Sequence, residues 1–178
     1  MTRAGPLLFD HIPFARAAAA VLRRMPQLNG APISIERSPC LRDRRGPVHA
    51  GAFLRERRAA FDCTRAEFPR IFAHELAHFI WLRLGNPLRR SWETLIVGES
   101  HPGELGWSAE WRKSNLTSAD RRRRSRRWRE YCCESFCDTA AWFWSGVADH
   151  PEFTLNARSR AARRRWFAVS VANRTLSI

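Results

Sequence analysis

Phe68-Pro-Arg-Ile-Phe-Ala-His-Glu-Leu-Ala-His-Phe-Ile-Trp-Leu-Arg-Leu-Gly85 is the stretch around which the chain is read. Its centre, His74-Glu75-Leu76-Ala77-His78, has the form H-E-x-x-H. On a helix, residues i and i+4 share a face, so His74 and His78 can bind one metal ion together. Glu75 sits one position round, where it can reach a water held by that ion without being a ligand. Chance alone would produce the pattern in roughly one shuffled sequence in a hundred.

Local signals predict that the segment is helical. Thr64 and Glu67 have the spacing of a capping box, and Pro69 falls near the first turn, where proline costs least. Phe72, Leu76, Phe79, Ile80 and Leu84 form an apolar stripe of helical period. Gly85 reads as the C-cap, with Asn86-Pro87 stopping the helix. Ala73 and Ala77 flank the histidines and would let another element approach closely. The blander alternative is a core helix with two buried histidines bonded to backbone.

A chain of 178 residues with eight Trp and eleven Phe has the length and aromatic content of one folded domain, residues 1–178. The net charge is +14, and all but one of the 31 Lys and Arg are arginine, Lys113 being the exception. That balance is compatible with an acidic protein or nucleic-acid partner, and equally with an Arg-biased solvated surface. Five cysteines without framework spacing suggest free thiols in a reducing compartment. No signal-peptide pattern or long apolar run is present, so the expectation is a cytoplasmic protein with no membrane partner.

Outward from the central helix, residues 1–10 read as a loose start. His11 to Met25 reads as a helix with Ile12, Ala15, Ala19 and Leu22 on one face, ended by Pro26. Ala31 to Arg37 alternates as a strand with Ile33 and Ile35 inward, and residues 38–47 read as a polar loop. Val48 to Leu54 and Arg58 to Cys63 form a hairpin turning near Arg55-Glu56-Arg57. Leu88 to Asn115 is poorly patterned and reads as a long connection, with a strand or helical turn at Ser91–Gly98. Thr117 and Asp120 start another helix. It runs through the Arg-rich segment 121–129, which must be solvated or paired, and continues amphipathically to Ser145-Gly146. Thr154 to Asn173 reads as a C-terminal helix that Arg158, Arg160, Arg163, Arg164 and Arg165 make basic. Leu155, Ala162, Trp166, Val169 and Ala172 would pack.

A catalytic zinc needs three protein ligands and one open position. Glu134 is the best completion, within Glu130-Tyr-Cys-Cys-Glu-Ser-Phe-Cys-Asp-Thr-Ala-Ala141. Asp138 lies one helical turn on and can orient His74 or His78 by a hydrogen bond. Glu130 is the runner-up, and Cys133, Cys137 and Cys40 are further alternatives. His49, His101 and His150 read as isolated. Tyr131, His101 and His150 are candidate donors to a tetrahedral oxyanion.

The H-E-x-x-H helix preceded by a hairpin and followed by Glu134-Ser-Phe-Cys-Asp138-Thr-Ala-Ala141 resembles the compact gluzincin-type zinc metallopeptidases. It is most similar to the bacterial ImmA/IrrE-like group. The resemblance implies a helix-rich α+β, zincin-like domain with a small antiparallel sheet beside the active-site helix. It implies Zn2+ held by His74, His78 and Glu134, with Glu75 as general base and Asp138 behind the ligands. The reaction would be hydrolysis of a peptide or protein, in that group often a regulator protein, and the Arg-rich face of this chain would favour an acidic substrate. A different class of function is a basic nucleic-acid-binding or regulatory protein on a peptidase-like scaffold, using segments 121–129 and 158–165. A third is an interaction domain with neither metal nor activity.

Overall fold

Short alternating strands build a sheet before the central helix begins. The computed structural model describes residues 2–10, 14–43 and 46–178. β1 (Thr2–Ala4) turns at Gly5, at φ +61°, into β2 (Leu7–Asp10). The first residues are therefore paired strands rather than a loose start. Leu7 and Phe9 are both buried, giving β2 an inward face.

α1 (Ala15–Leu22) covers part of the expected first helix, whose residues 11–13 lie outside the described residues. Its buried positions are Ala18 and Val21, not Ala15 and Ala19, because that side packs on the central helix. β3 (Leu28–Asn29) is followed by β4 (Ile33–Arg37), with Ile33 and Ile35 buried as expected. β5 (Arg42–Asp43) and β6 (Gly46–Pro47) pair within the expected loop. β7 (Ala50–Phe53) and β8 (Arg58–Phe61) form the expected hairpin, with Phe53 opposite Arg58. Arg57 closes its turn at φ +53°, a conformation that glycine or asparagine adopts more cheaply.

The expected antiparallel sheet is in fact mixed. Among the described residues its order is β1-β2-β4-β8-β7, and the β2–β4 and β4–β8 pairs are parallel. Parallel pairing follows from the long returns between these strands, one through α1 and one through residues 38–57. β7 lies at the sheet edge.

α2 (Phe68–Arg83) carries the H-E-x-x-H motif directly after β8. Thr64 Oγ1 accepts the Glu67 N–H at 3.3 Å, so the cap forms one turn ahead of the helix proper. The whole expected stripe from Phe72 to Leu84 is buried. Phe61, Phe68 and Phe72 pack ring to ring at 5.2–5.9 Å and hold α2 to the sheet. Burial of each such ring contributes about 1.5–3 kcal/mol.

The expected C-cap is corrected. α2 ends before Gly85, which has φ −63° and instead N-caps α3 (Asn86–Val97), with Pro87 in its first turn. α4 (Trp107–Ser114) follows, so the expected irregular connection is two helices joined by residues 98–106. Only Trp92 and Ile96 of α3 are buried, too thin a stripe to show periodicity.

α5 (Ser118–Arg123) starts at the expected Thr117–Asp120 capping box. Arg124, at φ +47°, ends it. Ser125 then N-caps α6 (Arg126–Trp144), so two helices replace the expected single one. Asp120 ties the break together by accepting from Ser125 Oγ at 2.6 Å and from Thr117. α2 packs along α6, where Ala73, Ala77, Ala140 and Ala141 are all buried. Trp81 meets Phe136 across this contact at 5.2 Å.

α7 (Ala157–Ser170) is N-capped by Asn156, and β9 (Leu176–Ser177) pairs with β3 in parallel. Its buried face is Ser159, Arg163 and Phe167, with Val171 just beyond. Val169, expected to pack, is 74% exposed. Arg163, one of the arginines of the basic run, is fully buried.

Arg163 grips Glu99 through Nε at 2.9 Å and Nη2 at 2.6 Å, and donates from Nη1 to Glu104 at 2.7 Å. Glu104 also meets Lys113 Nζ at 2.9 Å and accepts the Tyr131 hydroxyl at 2.6 Å. Two cations thus balance two carboxylates out of water. Burial alone would raise the Glu104 pKa, but Arg163 and Lys113 hold it below the usual carboxylate range. The only lysine of the chain is spent here, pinning residues 98–106 to α4, α6 and α7. Arg163→Met would strand two buried carboxylates beside one lysine. Chemical denaturation should show a loss of about 3–5 kcal/mol.

Candidate metal centre

One turn separates His74 from His78 on α2, and one turn separates Glu134 from Asp138 on α6. The close packing of the two helices brings these pairs together. His74 Nε2 lies 3.2 Å from His78 Nε2 and 3.4 Å from Glu134 Oε2, and the His78–Glu134 distance is 3.9 Å. Ligands about 2.0–2.1 Å from a tetrahedral zinc stand about 3.3 Å from one another. The three separations are close to the edges of such a tetrahedron, and two imidazoles with one carboxylate are a donor set suited to zinc.

Asp138 lies behind His74. Its Oδ1 is 2.8 Å from His74 Nδ1, so the ring presents Nε2 to the other two groups. Its Oδ2 accepts the Ala109 N–H at 2.9 Å, which fixes the start of α4. Gly106 makes this approach possible, since a Cβ there would fall 2.3 Å from Asp138 Cγ. His78 is backed differently, with Nδ1 facing Cys133 Sγ at 3.5 Å. His78, Cys133 and Cys137 form a second group of donors within mutual reach. Of these only His78 lines the cleft described below.

Arg112 of α4 meets the other Glu134 oxygen, Oε1, at 3.0 Å, leaving Oε2 for the histidines. Burial would push the Glu134 carboxyl up. The His74 hydrogen bond, then the charges of His78, His74 and Arg112, outweigh it and hold the pKa down to about 2. Burial likewise opposes the His74 imidazolium, yet Asp138 and then Glu134 and Glu75 raise it well above its ordinary value. His78 is opposed by burial and raised to about 9, chiefly by Cys133 and Glu134. Glu75 is only 8% exposed, and burial raises its pKa against the pull of the two histidines.

These groups open into a cleft of about 430 Å³. Edge strand β7 contributes Ala50, Gly51 and Ala52, and α4 contributes Trp107, Ser108 and Arg112. Arg70, one turn before His74, and Glu152 also line it, paired at 2.9 Å.

The other candidates fall elsewhere. Glu130, the alternative third ligand, is exposed and paired with Arg126 at 2.7 Å. Cys40 is exposed and bonds Asp62 through its backbone. Tyr131 is buried on Glu104, His101 Nδ1 accepts the Gly103 N–H, and His150 faces Glu67. None of these three lines the cleft. Two polar residues that do line it are His49, which the sequence reading leaves as isolated, and Arg112, which it does not name. A histidine before an edge strand and an arginine among thirty carry no spacing signal.

No protein-family model, curated protein or solved structure matches this chain.

Two outcomes follow from the geometry. Gly106→Ala should displace Asp138, and Asp138→Asn should misorient His74. Each should weaken zinc binding about 10–100-fold with the far-ultraviolet spectrum unchanged, as read by competition with a chromogenic chelator. Asp138 raises the His74 pKa and Cys133 that of His78, the latter to about 9, so protons compete with zinc for these ligands in the metal-free chain. Zinc affinity should therefore climb with pH up to about 9. Calorimetry in buffers of different ionisation enthalpy should register at least ~1 proton released per zinc at pH 7.

Proposed function

We propose that this chain is a zinc-dependent metallopeptidase of the gluzincin type, hydrolysing peptide bonds of an extended polypeptide. The observation that carries the reading is the tetrahedral spacing of the His74, His78 and Glu134 ligand atoms, beside a buried Glu75, in a cleft bordered by an edge strand. The α+β architecture, with a sheet beside the motif helix and Glu134 and Asp138 on a second helix, supports a zincin-like fold and the likeness to the ImmA/IrrE-like group.

His74, His78 and Glu134 would hold the ion, which when bound supplies Lewis acidity for the scissile carbonyl and for a water. Glu75 accepts the proton of the attacking water and delivers it to the leaving amine. Its desolvated carboxyl, with a raised pKa, suits that double role near neutral pH. Asp138 keeps His74 in one tautomer, and Arg112 keeps Glu134 turned to offer a single oxygen. The outer edge of β7 offers main-chain groups to an extended peptide, which would bind as an added strand with little demand on its sequence. The free cysteines support action in a reducing compartment such as the cytoplasm. No helix among the described residues is long and apolar enough to cross a membrane.

Glu75→Gln separates chemistry from metal binding. Elemental analysis should find one zinc per chain in both proteins, with equal melting temperatures. Hydrolysis of an unfolded acidic protein such as casein should fall by about 10²–10⁴-fold in the variant. Equal cleavage by the two proteins, or none by the zinc-loaded wild type, would contradict the reading.

A further inference from the structure

Helix α4, which borders the cleft, carries two side chains that the metal chemistry does not use. Trp107 and Trp111, one turn apart on α4, are 58% and 39% exposed, whereas the other six tryptophans are buried or half-buried. Their indoles stack with centroids 6.2 Å apart and planes 24° from parallel. A tryptophan offers a large apolar surface, and two left adjacent in water mark a contact surface better than scattered single residues do.

This pair is rigidly placed. The Trp107 N–H donates to Glu152 at 3.1 Å, the Ala109 N–H to Asp138, and Arg112 reaches Glu134. α4 is therefore tied to Asp138 and Glu134 of the candidate metal centre and to Glu152 beside it. Trp107 lines the cleft itself, while Trp111 lines an adjoining depression of about 350 Å³. Arg112 lines both, so the two hollows adjoin at its side chain. The depression also holds Arg127 and Glu130, and Glu130 is already paired with Arg126. Its charge balance favours an anion.

We propose that the α4 rim is a subsite for the polypeptide substrate. It takes a large apolar side chain, aromatic above all, against Trp107 and Trp111, with a neighbouring acidic residue directed at Arg127. The subsite rests on the peptidase reading and names its substrate class. Stacked indoles beside arginine could also receive the bases of a single-stranded nucleic acid. The polypeptide is favoured because Trp107 opens onto the same cleft as edge strand β7 and Glu75.

The test uses the zinc-loaded full chain carrying Glu75→Gln, with fluorescence anisotropy of two labelled unstructured peptides. They are identical except for one step, Phe-Asp in one and Ala-Asn in the other. The Phe-Asp peptide should bind at least ~10-fold tighter. Adding Trp107→Ala and Trp111→Ala should shrink that advantage to within about twofold, with zinc content and circular dichroism unchanged. Equal binding of the two peptides, or an advantage that survives loss of both indoles, overturns the proposal. So does a single-stranded oligonucleotide that binds more tightly than either peptide and depends on the same tryptophans. Binding is read without hydrolysis, so failure here leaves cleavage by the wild type standing. Absence of cleavage in turn leaves this preference to be measured.

Discussion

A single buried carboxylate holds the site together. Asp138 accepts a hydrogen bond from His74 on α2 with one oxygen and from the Ala109 backbone of α4 with the other, while rooted in α6. A carboxylate 2% exposed is costly without such partners. The energy that would be lost by separating three helices is thus concentrated at one group. Gly106 is the steric condition for it, since no side chain fits between the loop and Asp138.

α6 serves two polar systems from two faces. Glu134 and Asp138 turn towards the cleft. Tyr131, Ser135 and Thr139, at the same four-residue spacing, turn towards the buried Arg163, Glu104 and Lys113. The second system fixes residues 98–106 and therefore Gly106, two positions after Glu104. Stability and site geometry are coupled through that loop. A site in which zinc ligands must stay within a few tenths of an ångström requires this kind of support. The aromatic ring packing of Phe61, Phe68 and Phe72 on one side of α2, and of Trp81 with Phe136 on another, supplies the rest of the rigidity.

Short-range patterns were the legible part of this chain. The α2 stripe, the Thr117–Asp120 cap, the inward Ile33 and Ile35 and the β7–β8 hairpin all rest on contacts within a few residues. Glu134 and Asp138 were legible as a pair for the same reason, and the structure brings both to His74. What stayed hidden depends on long-range choice. Strand direction in the sheet follows from how the connections return, which alternation does not encode. α3 and α4 bury few side chains and so show no period. Among thirty arginines nothing local distinguishes Arg163 in the core or Arg112 in the cleft, because their partners lie on other elements.

The central claim is that His74, His78 and Glu134 hold one ion between α2 and α6. Crystals of the zinc-replete protein, with diffraction recorded on both sides of the zinc absorption edge, test it most directly. The account predicts a single anomalous peak about 2.0–2.2 Å from His74 Nε2, His78 Nε2 and a Glu134 oxygen, with a fourth position open to the cleft. A peak on Cys133 and Cys137 instead, or none between the two helices, would contradict it.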